Sequence, residues 1–349
     1  MITVVSFCLG IYEFSTLYPD NPLLPSLPLQ MTLTEKVQWR NQTLITEFIL
    51  LGFSNLLHLQ GLLVCMVLFM YMVTVMGNTL IIFVVTVDPA LHFPVYFFLE
   101  NLAFIEINFT LDMVPKMLVN LLEKDKSISF AACAVQMYFF FFFVCAECFL
   151  LAAMAYDRYV SICYPLHYNT LMNQPVCHKI LGGVWVIRVP VSLLQVAWIF
   201  NLPFCGSNEV NHFFCDALAM LKLVCIDTYH YEMQAIGTTL LFLMFPFVLI
   251  LVSYVHILFT ILRMPSAEGR CKVFPTCSSH LIVVTLFHGS GSLVYLRPKS
   301  SYSPDVKEFL SLFYTVLTPV LNPIIYSLRN NEVKGALKRV IGRKLSLQN

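Results

Sequence analysis

Charge is what this sequence has least of. Only 12% of its 349 residues are charged, and the two signs nearly cancel to a net +1. A soluble globular domain carries roughly a quarter charged residues. With 58% apolar residues and a mean hydropathy of +0.76, too few charges remain to cover a water-facing surface. A cytosolic enzyme and a disordered hub are excluded on that ground, and the missing basic field excludes a nucleic-acid binder. No nucleophile–base–orienter set, phosphate-binding glycine loop or His-x-x-x-His pair is present, so neither catalysis nor a metal or other cofactor is expected. The N-terminus lacks the basic start and small-residue cleavage site of a signal peptide. Pro22, Pro25 and Pro28 discourage helix there, so residues 1–40 read as a poorly ordered tail, with Met31 as an alternative start.

What the chain does have is long runs free of Asp, Glu, Lys and Arg: 48–87, 127–146, 189–208, 233–262, 273–296 and 309–328. About 20 apolar residues cross a bilayer as a helix. Two further spans hold charges, one around Glu100, Glu106 and Asp112, the other around Lys179 and Arg188. The spacing predicts seven helices over 60–86, 94–119, 131–163, 178–200, 232–262, 271–296 and 306–328. A membrane β-barrel would alternate polar and apolar residues, whereas Phe139 to Phe143 are consecutive phenylalanines. The expected architecture is an all-α seven-helix transmembrane bundle over 60–328, after an extracellular tail (1–59) and before a cytoplasmic tail (329–349).

Basic residues in short loops set orientation. With the N-terminus outside, the inner segments hold Arg158, Lys179, Arg263, Arg270, Lys272, Arg329, Lys334, Lys338, Arg339, Arg343 and Lys344 against the acids Asp88, Asp157, Glu268 and Glu332. The Asn41-Gln42-Thr43 sequon then lies outside, where Asn41 can carry a glycan, while the tripeptide at Asn108 lies mid-helix. Cys133, Cys205, Cys215 and Cys225 fall at or beyond the outer helix ends, an even set that permits three pairings. The other cysteines of the helices and inner face read as small buried hydrophobes. Residues 201–230 form an outer loop long enough to need covalent ties or a function.

Glu100, Glu106 and Asp112 are six residues apart, so each is turned 240° from the last and they cannot all face inward. Glu100 can reach the inner interface and Asp112 the outer one. Glu106 sits mid-membrane, where an unpaired charge costs at least about 2.5–3.5 kcal/mol.

Two segments carry a family resemblance. One is Met154-Ala155-Tyr156-Asp157-Arg158-Tyr159-Val160-Ser161-Ile162-Cys163, and the other Pro319-Val320-Leu321-Asn322-Pro323-Ile324-Ile325-Tyr326. Gly77-Asn78, Leu91-His92-Phe93-Pro94, Pro115-Lys116-Met117-Leu118, Ser253-Tyr254 and Lys272 through Leu281 join them in order. Over about residues 41 to 345 the chain resembles a tetrapod-type odorant receptor within the rhodopsin-like G-protein-coupled receptors. It departs from the family's usual residues at Val95, at Val273-Phe274-Pro275, where the proline could shorten or kink the sixth helix, and at His288, which stands where a tyrosine is usual.

The resemblance implies a small volatile or lipophilic ligand held by Phe140, Phe141, Val144, Cys145, Cys148, Thr238, Thr239, Phe242, His288, Ser292, Tyr295, Leu312 and Thr315. No fixed negative charge in that set would hold an amine. It further implies a latch in which Arg158 pairs with Asp157 when inactive and meets the G protein when active, with Tyr159, Tyr254, Arg270, His280, Asn322, Pro323 and Tyr326 around it. Asn78, Glu106, Glu147 and Asn322 would surround a polar core in which two carboxyls share a proton or hold a cation such as sodium, or in which two acids are separately protonated. Cys133–Cys215 and Cys205–Cys225 are the implied disulfides. A basic amphipathic helix, with Lys334, Lys338, Arg339, Arg343 and Lys344 beside Val333, Leu337, Val340 and Ile341, would lie on the inner leaflet. The expected function is ligand-driven activation of a stimulatory G protein that raises cyclic AMP. A chemosensor of the same fold outside the nose is one alternative. A transporter is another, for which the chain lacks the internal repeat that duplicated halves would show.

Overall fold

A computed structural model describes residues 45–53, 59–205, 207–264, 267–296, 304–329 and 331–346. Residues 1–40 and the Asn41 sequon lie outside them. Seven long helices follow in order: α1 (Gln60–Val87), α2 (Pro94–Leu122), α3 (Phe130–Cys163), α4 (Gln174–Phe200), α5 (Tyr229–Arg263), α6 (Ala267–Tyr295) and α7 (Pro304–Arg329). A further helix, α8 (Asn331–Ser346), follows α7. Six of the seven contain a stretch long and apolar enough to cross a membrane. The other, α2, has 29 residues, about 43 Å of helix, and packs between α1 and α3 although it carries Glu100, Glu106, Asp112 and Lys116.

The helix starts are chemically marked. Ser129 accepts a hydrogen bond from Ala132 N to cap α3, Asn173 accepts one from Val176 N to cap α4, and Pro94 opens α2, where a missing N–H costs nothing. Hydroxyls within the bundle bond back along their own helices, as Thr110 does to Glu106 O at 2.7 Å. Such a bond satisfies the hydroxyl without a partner from another helix. α6 is continuous across residue 275, so the expected shortening at that proline does not occur.

Two helices carry a π turn that the sequence pattern does not announce: Leu240–Met244 in α5 and Phe313–Leu317 in α7. Each inserts wider backbone spacing beside the bundle's central cavity, a common place for such turns.

The end of the bundle bearing the disulfides is a small folded cap. Strand β1 (Glu47–Leu50) pairs antiparallel with β2 (Ser127–Ser129) and parallel with β3 (Glu209–Val210). Residues 47–50, expected in the tail, pair with segments more than 75 residues away. Cys133 pairs with Cys215 and Cys205 with Cys225, each with Cα atoms 5.6 Å apart. Disulfides persist in oxidising surroundings, which places this end outside the cell. Gly52 is required here: a Cβ would stand 2.5 Å from Phe213 Cα. Phe53, next to it, holds a left-handed φ of 58°, gives its N–H to Glu308 at 3.0 Å and stacks on Phe213.

At the opposite end, α8 buries Val333 and Ala336 and exposes Lys334, Lys338 and Arg339. Arg339 forms an ion pair with Asp88 at 2.8 Å, which ties α8 to the turn after α1.

Candidate functional site

A cavity of about 90 Å³ opens between α3, α4, α5, α6 and α7 beneath the outer loop. From α3 come Phe140, Phe141, Val144, Cys145 and Cys148, spaced so that one helical face turns inward. α5 adds Thr238, Thr239, Phe242 and Leu243, the last two from the π turn, and α6 adds Phe287, Gly291 and Tyr295. The loop closes the top with Ala217, Leu218 and Leu221.

Four residues expected in this lining are absent from it: His288, Ser292, Leu312 and Thr315. His288 is buried against Phe247, ring centroids 5.2 Å apart, and its Nδ1 lies 3.2 Å from Val284 O. Ser292 donates to His288 O at 2.5 Å and Thr315 to Ser311 O at 2.7 Å, so both hydroxyls are satisfied within their own helices. Leu312 ends the segment before the α7 π turn, which brings Tyr314 to the wall instead. Val191, Gln195 and Trp198 of α4 line the cavity without having been expected there. Their i, i+4, i+7 spacing was the available signal.

A chain of hydrogen-bonded polar groups runs under the cavity roof. Tyr295 Oη donates to Asp216 Oδ1 at 2.8 Å and lies 3.3 Å from Tyr314 Oη. Tyr314 donates to Ser311 at 3.4 Å, and Ser311 Oγ lies 3.2 Å from His212 Nε2. Asp216 also accepts from Ala219 N at 3.0 Å. This chain joins the loop to α6 and α7. Burial pushes the His212 imidazole down to about 4, against a raising influence from Asp216, with Lys222 adding to the lowering. Phe214 descends beside it to within 5.1 Å of the Phe140 ring centroid.

Deeper in the bundle, Glu106 and Glu147 are both buried and face each other, and Asn322 donates to Glu106 Oε1. Glu106 Oε2, Glu147 Oε1 and Asn322 Oδ1 have no hydrogen-bond partner among the described residues. Asn78 is not bonded to the carboxyls. Its Nδ2 donates to Thr74 O at 3.0 Å and reaches Pro319 O at 3.5 Å, linking α1 to α7. Of the other α2 acids, Glu100 accepts from Thr86 at 3.0 Å. Asp112 Oδ2 is buried and has no hydrogen-bond partner among the described residues.

At the inner end the expected Asp157–Arg158 pair is not formed. Asp157 is buried and accepts from Tyr168 of the following loop at 2.8 Å. Arg158 is within electrostatic reach of Asp157 and also of Tyr254, Cys277, His280 and Tyr326. The hydroxyls of Tyr254 and Tyr326 have no partner among the described residues, and the Tyr254 ring stacks on His280 at 5.6 Å. Tyr159 contacts Tyr164 instead, with 3.3 Å between hydroxyls, and Arg270 is exposed at the start of α6. Pro323 packs against the α1 backbone at Gly77.

One buried charge has no place in the expected site. Arg188 of α4 is fully buried, and its guanidinium carbon lies 3.6 Å from the Trp185 ring centroid and 4.2 Å from that of Phe142. An intramembrane Arg costs at least about 2.5–3.5 kcal/mol, of which such stacking returns about 2.

Residues 67–344 match the olfactory receptor family. The chain belongs to that family. It is 61% identical over 305 residues to human olfactory receptor 10A7, covering 87% of this chain and 96% of that one. Human olfactory receptor 10A5 is 57% identical over 310 residues (88% and 98%), and 10C1 is 52% identical over 308 (88% and 99%). This olfactory receptor is therefore a multi-pass plasma-membrane G-protein-coupled receptor for odorants, and not an enzyme.

Proposed function

We propose that this receptor takes a small, mostly apolar odorant in the cavity beneath the outer loop and activates a stimulatory, olfactory-type G protein, raising cyclic AMP. The single observation that carries the reading is the cavity itself. It is enclosed by aromatic and aliphatic side chains, and its polar corner at Tyr295 and Asp216 connects the loop to α6 and α7. A ligand that favours one arrangement of that corner shifts the population of receptor states, whereas equal affinity for both would shift nothing. On activation Arg158, with the buried, unpartnered hydroxyls of Tyr254 and Tyr326 nearby, becomes available to the G protein.

Glu106 and Glu147 act in this scheme as one unit that shares a proton or binds a cation such as sodium, since two facing carboxylates resist ionising together. A Glu106→Gln, Glu147→Gln double variant should lose sodium and pH dependence of basal signalling. Unchanged dependence would sink the coupled unit.

The function is tested by screening odorants against cells expressing the full chain and reading cyclic AMP. Any active odorant should lose its effect when Val144→Trp fills the cavity while surface expression persists. Retained potency would place the ligand elsewhere.

A further inference from the structure

The cavity's apolar lining leaves one strong set of donors unexplained. Nε, Nη1 and Nη2 of Arg188 have no hydrogen-bond acceptor among the described residues. The Trp185 and Phe142 rings hold the guanidinium by its faces, but they accept none of its in-plane N–H bonds. One helical turn on, Ser192 is also fully buried and its hydroxyl has no partner. Residues four apart share a helix face, so the two donors lie together on α4. Neither lines the cavity, but both adjoin Val191 and Gln195 of the same helix, which do. Cys145 of α3 lines the cavity too, and it is one of the two side chains that Arg188 faces electrostatically, Tyr138 being the other.

We propose that Arg188 and Ser192 form a carboxylate-recognising subsite at the α3–α4 edge of the cavity, so that the preferred ligands are small carboxylic acids. The inference rests on the reading that this cavity receives the agonist. A guanidinium fork matches two carboxylate oxygens side by side, and the Ser192 hydroxyl supplies a further donor. A cationic amine would be repelled. A cavity of about 90 Å³ suits a small acid rather than a long-chain one.

The test uses the full chain in cells with its G protein, and butanoic to octanoic acids and phenylacetic acid, each against its methyl ester. For the best-fitting acid, the wild type should respond at a concentration about tenfold or more below that for the ester, the expected scale for losing a hydrogen bond to a charged group. Arg188→Met should bring the acid to the ester's potency and leave the ester within about twofold. Arg188→Lys should keep part of the preference, and Ser192→Ala should weaken it several-fold. Flow cytometry checks surface level, and if Arg188→Met fails to reach the surface, the Lys and Ala variants carry the comparison. Heat stability of purified receptor with each acid gives a readout independent of the G protein. Equal potency of acid and ester, or a preference that survives Arg188→Met, would overturn the subsite. So would neutral odorants that signal while the acids neither signal nor stabilise, an outcome that leaves the cavity reading intact. Arg188-dependent stabilisation by an acid without any cyclic AMP rise would uphold the subsite and refute the proposed signalling.

Discussion

Removing the outer disulfides one at a time separates two contributions that the sequence alone cannot rank. Cys133–Cys215 closes 82 residues and Cys205–Cys225 closes 20. The chain-entropy relation gives about 4.5 kcal/mol for the first and about 3.3 for the second. The paired variants Cys133→Ala with Cys215→Ala and Cys205→Ala with Cys225→Ala avoid stray thiols. Gln136 Oε1 still accepts from residue 215 N at 3.1 Å in the first variant, so the loop stays partly tethered to α3. Residual folded receptor after heating in lipid nanodiscs reads the stability. The first variant should melt lower than the second. It should also lose more agonist potency, because residue 215 adjoins Asp216, which accepts the Tyr295 hydroxyl at 2.8 Å. The reverse order in both measurements would refute the view that the α3 tether positions the cavity roof.

Three further outcomes follow from single contacts. Tyr295→Phe deletes a hydrogen bond to a carboxylate, about 1.5–3 kcal/mol, so agonist dose–response curves should shift right by roughly 10- to 100-fold; an unshifted curve would remove the roof chain from the mechanism. His212 has a native imidazole held down at about 4 against 6.5 unfolded, so the unfolded chain binds the extra proton first. Its stabilising effect is full above pH 6.5 and fades as pH falls toward 4, costing about 2 kcal/mol between pH 7 and 5; heat stability of His212→Gln should show a flatter acid limb, and an identical limb would contradict this. Gly77→Ala places a Cβ 2.9 Å from Pro323 Cβ and should cost about 1–3 kcal/mol by overpacking α1 on α7. Gly61→Ala, with nothing within 4 Å, should be neutral to slightly stabilising by the same heating assay.

The helices were legible because hydrocarbon demands it: a charge-free run such as 233–262 has no other stable state in a bilayer, and the structure places α5 across it. The α3 face from Phe140 to Cys148 was legible from its spacing. What escaped depends on partners remote in sequence. Strand Glu47–Leu50 exists because residues 127–129 and 209–210 meet it, and nothing in Glu-Phe-Ile-Leu announces that. The π turns have no residue signature, yet the one in α7 presents Tyr314 to the cavity and leaves Thr315 bonded within its helix. Asp157 found Tyr168, a residue of the following loop that no helical spacing pairs with it.

The claim at the centre is that a ligand in the cavity makes Arg158 available to the G protein at the other end. Binding of a purified stimulatory G protein to the receptor in nanodiscs, with and without saturating agonist, tests it most directly. Linkage requires the agonist to tighten G-protein binding by the same factor as the G protein tightens agonist binding. The expected result is a matched increase in both, lost in Arg158→Ala while agonist occupancy persists. G-protein affinity that stays unchanged at full occupancy would contradict it.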